Sequence, residues 1–330
     1  MADTGQVRRL SGTASADEPR PATVPFHGLL LVAALAGALF AQGGYYPSAQ
    51  WPVAVLLAGA LIMALRAHPL STSDVRFAPL SACVALAGWA AARAAVLGDV
   101  TLAMGTVAMP AGLAATVVVA RRTPDGDGLD VAAVGLGVVV AMTGWLGVAW
   151  RISPWALEDQ GLWRAATTVT YANAAAGVLA ALALLALGRR IARPGSWPDA
   201  LSVYVLLTGI GASMSRGGIL AAAVGAVALA ALVGVGTVVR AAVAPVLGAS
   251  VALAALVPSM PATSSERPAL AMVGLVAGLA LTGWLAVREG RRRVAPVVVL
   301  APLLCLVLVF GAGWPGAVAV RQARFTAASP

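Results

Sequence analysis

From residue 25 to residue 312 the chain is a succession of apolar runs separated by short segments in which arginines collect. The runs cover about residues 25–42, 51–66, 77–97, 101–120, 131–150, 169–188, 197–214, 217–239, 241–257, 269–287 and 294–312. Crossing the hydrocarbon core of a bilayer takes about 20 apolar residues, with a range of about 17–25. Water cannot cover so many runs with the polar surface available: 60% of the residues are apolar and 11% charged, against about 45–50% and about 25% in soluble domains. Mean hydropathy is +0.89. The expected fold is therefore all-α, a polytopic integral membrane protein with about 11 transmembrane helices, because a helix satisfies its own backbone in lipid. As one helix, residues 217–257 would be about 60 Å long, about twice a bilayer. That stretch must fold back, and Gly234, Gly236 and Arg240 interrupt it.

Residues 1–24 mix Arg8, Arg9, Asp17, Glu18 and Arg20 with Ser, Thr, Gly and Pro, a composition that cannot bury a core, and are expected to be a disordered tail. Residues 25–312 form the transmembrane domain, and 313–330 an outer C-terminal segment. Ala34-Leu35-Ala36 fits a signal-cleavage pattern, but the polar leader is long and acidic and many similar runs follow, so a retained first span is expected.

All 22 basic residues are arginine, and the net charge is +9. A nucleic-acid binder gathers such charge on one solvent-exposed patch. Here the arginines punctuate apolar runs, so no nucleic-acid partner is expected. Basic residues in short loops are retained in the cytoplasm. With the N-terminus inside, fifteen arginines fall on inner segments: Arg8, Arg9, Arg20, Arg66, Arg76, Arg121, Arg122, Arg189, Arg190, Arg193, Arg240, Arg288, Arg291, Arg292 and Arg293. The other seven, Arg93, Arg151, Arg164, Arg216, Arg267, Arg321 and Arg324, go outside. Trp51, Trp150, Trp155, Trp163 and Trp314, with Tyr45 and Tyr46, then lie at outer boundaries as interfacial anchors.

None of the 13 acidic residues reaches the interior of a run, which argues against an ion-coupled transporter or pump. Cys83 and Cys305 lie in apolar runs without ligand spacing, and the two histidines, His27 and His68, cannot build a metal centre by themselves. No metal and no cofactor is expected, and no nucleotide-binding or hydrolase motif occurs.

What is left is an outer polar set. Arg164 and Arg216 each stand where a helix enters the membrane from outside, the end at which unpaired N–H groups and the positive dipole favour an anion. An arginine fork donates two parallel hydrogen bonds to phosphate oxygens. Gly217 and Gly218 would let backbone approach the ligand, with Ser215 as helix N-cap. Each arginine alternatively only snorkels to head groups, and Glu158 or Asp159 is a competing partner for Arg164. Arg93, about one turn inside the third run, either snorkels outward or faces a polar cavity; a charge at the bilayer centre costs about 2.5–3.5 kcal/mol.

The phrase Leu207-Thr-Gly-Ile-Gly-Ala-Ser-Met-Ser-Arg216-Gly-Gly-Ile-Leu, followed by a long Ala/Val/Leu helix, resembles the Ser-Arg-Gly segment of the O-antigen ligase and Wzy-type polymerase superfamily. Trp163-Arg164 through Tyr171-Ala-Asn173-Ala-Ala-Ala resembles that family's preceding arginine- and asparagine-containing stretch. The resemblance is best over residues 150–240. It implies a GT-C-like helical bundle in the bacterial plasma (inner) membrane. Such a protein is a metal-independent glycosyltransferase whose donor is an undecaprenyl-diphosphate-linked glycan and whose acceptor is a glycan or lipid. By that resemblance Arg216 and Arg164 hold the leaving diphosphate as catalytic residues, with Tyr171 and Asn173 as weaker neighbours; Arg93, Ser215, Gly217 and Gly218 join them as substrate-binding candidates from their positions in the sequence.

The chain departs from the family in one respect. Family members carry a large outer loop with a histidine, whereas His27 and His68 both fall on the inner side. The stretch Val318-Ala-Val-Arg321-Gln-Ala-Arg324-Phe325-Thr-Ala-Ala-Ser-Pro330 resembles the opening of such a loop. Either the sequence stops inside that loop, or the loop is lost and the chain is no competent transferase. The alternative function is a non-catalytic lipid-diphosphate-binding or scaffold subunit of a cell-envelope glycan pathway.

Overall fold

The computed structural model describes residues 25–289 except Tyr45, 70–77, Asp99 and 124–126. Over these residues the apolar runs fold as ten α-helices: α1 (Phe26–Phe40), α2 (Pro47–Ala67), α3 (Ala78–Leu97), α4 (Val100–Arg122), α5 (Asp127–Trp150), α6 (Ala172–Ala192), α7 (Trp197–Ala212), α8 (Arg216–Val233), α9 (Val235–Leu256) and α10 (Pro268–Glu289). The expected run 294–312, the tail 1–24 and the segment 313–330 lie outside the described residues.

Seven stretches are long and apolar enough to cross a membrane: Ser48–Ala67, Pro79–Leu97, Gly128–Trp150, Ala172–Ala192, Arg216–Val233, Val235–Ser259 and Pro268–Glu289. Helices α1 and α7, with 15 and 16 residues, rise only about 22–24 Å. For α7 the reason is its position: it packs on α5, α6, α9 and α10 at once, and both its polar and apolar residues are buried. Leu220, Val224 and Val227 of α8 and Val273 and Val276 of α10 are mostly exposed. Such surfaces suit lipid and not water.

The helices form two groups. In one, α1 packs on α2, α2 on α4, and α3 on α4, around Leu31, Ala60, Ala64 and Val119. In the other, α5–α10 surround α7, and Trp145, Tyr204, Leu179, Leu206 and Leu256 fill the interior. Contacts of α1 with α5 join the groups. Lipid tails compete with apolar side chains on equal terms, so helices in a bilayer associate by close approach over small residues. The α9–α10 pair illustrates this. A Cβ on Gly278 would stand 2.4 Å from the Gly248 carbonyl oxygen and 3.0 Å from the Tyr204 ring. The buried Tyr204 hydroxyl donates to the Leu275 carbonyl at 2.6 Å, and Thr282 donates to the Gly278 carbonyl at 2.8 Å.

The break in residues 217–257 falls at Gly234 and not at Arg240. Gly234 adopts φ 91° and ψ 137°, a conformation that side chains disfavour, and its N–H closes α8 on the Ala230 carbonyl at 2.8 Å. Arg240 thus lies inside α9. The sixth run also begins later than residue 169, at Ala172, because Thr167 and Thr170 take positive φ of 59° and 60° and hold the chain out of the helix.

Between α5 and α6 the chain makes a β-hairpin that the helical reading missed. Strand β1 (Ala156–Asp159) pairs antiparallel with β2 (Leu162–Ala165), Leu157 opposite Arg164 and Asp159 opposite Leu162. Gln160 and Gly161 form its two-residue turn, both at positive φ, 55° and 76°, the conformation that matches strand twist in tight hairpins. The hairpin lies at the bundle end that also holds the α1–α2, α7–α8 and α9–α10 connections: Gly43 abuts Val169, Arg164 donates to Ser213, and Trp163 N–H donates to the Met260 carbonyl at 2.7 Å. Residue 45 within the first of these connections is outside the described residues.

A polar network closes the opposite end. Arg190, 3% exposed, donates through Nε to the Ala241 carbonyl at 2.8 Å, through Nη1 to the Ser196 carbonyl at 3.1 Å, and through Nη2 to the Glu289 carboxylate. Arg189 pairs with Asp199 at 3.1 Å and lies 4.0 Å from Asp130. Asp199 in turn accepts the Ser196 hydroxyl at 2.6 Å. The ends of α5, α6, α7, α9 and α10 therefore meet through charges, most of them buried between the helix ends. Arg122 of α4 donates to the His68 and Pro69 carbonyls at the same end of α2.

Candidate functional site: an arginine junction at the hairpin end

Strand geometry decides which carboxylate meets Arg164. Side chains alternate across a strand, so Leu157, Asp159, Leu162 and Arg164 share one face of the hairpin, with Glu158 and Trp163 on the other. Arg164 reaches diagonally to its own face. Its Nη1 pairs with Asp159 Oδ2 at 2.5 Å. The same guanidinium donates through Nε to the Ser213 carbonyl at 3.0 Å and through Nη2 to Asn173 Oδ1 at 3.2 Å. Asn173 Nδ2 donates to the Tyr171 hydroxyl at 3.3 Å.

One planar group thereby joins the hairpin, the start of α6 and the turn between α7 and α8. The carboxylate competitor named from the sequence is Asp159, and it occupies one branch of the fork. The Asp159 side chain is half exposed, whereas that of Arg164 is 19% exposed.

The α7–α8 turn is built by its own serines. Ser213 donates to the Ile210 carbonyl at 2.6 Å and accepts the Ser215 N–H at 3.2 Å. Met214 between them has φ 50°. Ser215 is the N-cap of α8, accepting the Gly218 N–H at 3.1 Å. Arg216, exposed, begins the helix beside this turn.

The two glycines differ in what they do. Gly217 is exposed with space around it, but Gly218 is buried, and a Cβ there would stand 2.3 Å from Ala176 Cβ. Its missing side chain serves the packing of α8 on α6, so close approach to a ligand is open only to Gly217. Arg93 is not brought to this junction. It is exposed on α3, which packs principally on α4, and its guanidinium lies over the Trp89 ring at 5.6 Å.

Sequence reading gave Arg151 no role beyond an outer charge, and the structure makes it the clamp of this end. Its Nη2 donates to the carbonyls of Pro261 at 3.0 Å and Ser264 at 2.5 Å, and its guanidinium stands over the Trp163 ring at 5.7 Å. The Ala262 N–H donates to the Gly161 carbonyl at 2.9 Å. The loop after α9 is thus pinned onto the hairpin that presents Arg164, and Trp163 serves that contact as well as any interfacial one. The signal available in the sequence was the dipeptide Gln160-Gly161, a glycine-containing turn between two short segments.

Positive φ at non-glycine residues costs energy and clusters where surrounding structure imposes it. Five such residues, Arg151, Gln160, Thr167, Thr170 and Met214, lie in the two segments that meet at Arg164. Among the described residues no three His, Cys, Asp or Glu side chains come together as metal ligands.

The apolar, lipid-compatible helices define a multi-pass α-helical membrane protein. Compared with protein-family models, with curated proteins and with solved structures, the chain finds no match.

Proposed function

We propose that this chain is an O-antigen-ligase-like glycosyltransferase or polymerase of the bacterial plasma membrane. Its N-terminus lies inside and its hairpin end outside, where it binds the diphosphate of an undecaprenyl-linked glycan. The observation that carries the reading is the Arg164 junction: it joins the Arg164–Asn173 segment to the Ser213–Arg216 turn, the two segments in which the resemblance lies. Two helices, α6 and α8, begin at this end with their positive dipole ends toward it. An acceptor hydroxyl would attack the anomeric carbon while the lipid diphosphate leaves, its charge held by Arg164 and Arg216.

A second reading, a non-catalytic lipid-diphosphate-binding subunit, is favoured by the histidines. His68 ends α2 beside Arg122, and His27 is buried near the start of α1, both away from the hairpin.

Binding of undecaprenyl diphosphate to the full chain in nanodiscs tests the site. A charge-assisted contact to phosphate is worth roughly 1.5–3 kcal/mol, so Arg216→Ala and Arg164→Ala should each weaken binding about tenfold to a hundredfold. Arg267→Ala, an exposed residue on the loop after α9, should change little. Unchanged binding in both variants would dismiss the site. With lipid-linked donor and acceptor added, product formation selects the transferase, and binding without turnover selects the subunit.

A further inference from the structure

We propose that Asp159 is a selectivity gate on the Arg164 site, a carboxylate that occupies the guanidinium until a multiply charged phosphate displaces it. The inference rests on the reading of this end as a diphosphate site and adds how that site discriminates among anions.

Three partners hold Arg164, and they differ in how fixed they are. The Ser213 carbonyl belongs to a buried turn locked by its own hydrogen bonds. Asn173 is in the first turn of α6. Asp159 stands beside the exposed hairpin turn, its side chain half exposed. The buried Ser213 carbonyl takes Nε, and Asn173, exposed but rooted in the first turn of α6, takes Nη2; together they aim the fork, so the branch facing Asp159 on the hairpin turn is the one a ligand can take without dismantling the junction.

Exchange on that branch is a competition between anions. A singly charged oxyanion replaces one carboxylate contact with one of similar strength and must also bear the displaced carboxylate nearby, so it gains little. A diphosphate brings more charge and more acceptor oxygens and can engage Arg216 on the neighbouring turn at the same time. Asp159 thus excludes ordinary anions of the medium and admits the lipid diphosphate. The sign is opposite to that of a merely structural ion pair: removing the carboxylate should strengthen anion binding.

Glu158 provides the control, because it carries the same charge on the adjacent residue but on the other face of the hairpin. The probes are inorganic pyrophosphate and dimethyl phosphate, a monoanion at neutral pH, titrated by calorimetry against the full chain in nanodiscs of zwitterionic lipid. Variants are Asp159→Asn, Asp159→Ser, Glu158→Gln and Arg164→Gln, each checked for an unchanged thermal transition.

Wild type should bind pyrophosphate and bind dimethyl phosphate poorly. Either Asp159 variant should tighten dimethyl phosphate about tenfold or more and pyrophosphate by less, eroding the preference. Glu158→Gln should leave the preference near wild type, and Arg164→Gln should lose pyrophosphate. If Arg164→Gln loses pyrophosphate while the Asp159 variants leave the preference unchanged or weaken both anions, the gate is refuted and the site stands. Equal gains in Glu158→Gln and Asp159→Asn would show only general electrostatics and also refute the gate. If no form of the chain binds pyrophosphate, the diphosphate site itself is refuted and the gate with it.

Discussion

Arg190→Ala should be among the most destabilising single changes at the end opposite the hairpin. The guanidinium is 3% exposed and serves three elements besides its own helix: the Ala241 carbonyl of α9, the Ser196 carbonyl before α7 and the Glu289 carboxylate ending α10. Removing one partner of a buried ion pair typically costs about 3–5 kcal/mol because the other charge is left uncompensated. The Ala241 carbonyl, which faces Pro245 in its own helix and so has no N–H donor there, is also left without a partner, at about 1–3 kcal/mol, whereas the Ser196 carbonyl keeps the Ala200 N–H. Glu289 lies at a helix end, so water recovers part of this. A net loss of about 3–4 kcal/mol is expected. Arg288→Ala is the reference: that exposed residue makes a cation–π contact with Trp284 at 3.9 Å, worth about 0.5–1 kcal/mol. Thermal unfolding of the full chain in nanodiscs, followed by tryptophan fluorescence, should place Arg190→Ala far below Arg288→Ala. The double variant Arg190→Met/Glu289→Gln should recover part of the loss, since it leaves no unpaired charge. Equal transitions for Arg190→Ala and Arg288→Ala would show that the network does not hold these helix ends together.

Gly278→Ala should destabilise by about 1–3 kcal/mol despite its better helix propensity, because the added methyl meets the Gly248 carbonyl oxygen; Gly88→Ala, with nothing within 4 Å, should be neutral or stabilising in the same thermal assay. Arg151→Gln should release the loop after α9, speeding hydrogen exchange at the Trp163 and Ala262 amides while leaving that of α7 unchanged. Single cysteines placed in 43–50 should label from outside and those in 121–128 should not; equal outside labelling would overturn the proposed orientation.

The helices were legible because their signal is one-dimensional. A long apolar run forms a helix with little help from its neighbours, and ten of the eleven expected runs coincide with described helices, of which seven are long and apolar enough to cross a bilayer. The boundaries were less legible. Arg240 looked like a loop residue because charge usually marks an interface, but backbone conformation placed the corner at Gly234. Likewise the length of α7 says little about its environment: it can be short because other helices, and not lipid, surround it.

The site was only half legible, and the missing half is the geometry of ten residues. Arginines 164 and 216 stood out for their place ahead of expected helix entries, although Arg164 lies on β2 and not at the start of α6, and sequence left three readings of Arg164 open: lipid, ligand or a nearby carboxylate. The hairpin resolves which neighbour it meets. With Gln160-Gly161 as a two-residue turn, alternation puts Asp159 on the Arg164 face and Glu158 on the other, so a charge one residue closer in sequence wins by facing the right way. The same turn brings the Gly161 carbonyl to the Ala262 N–H, and Arg151 holds that loop from beneath the Trp163 face. Arg164 is therefore aimed by parts of the chain on both sides of it, and a guanidinium held at Nε by a buried backbone carbonyl and at Nη2 by an asparagine in the first turn of α6 has its third nitrogen left as the place to exchange partners.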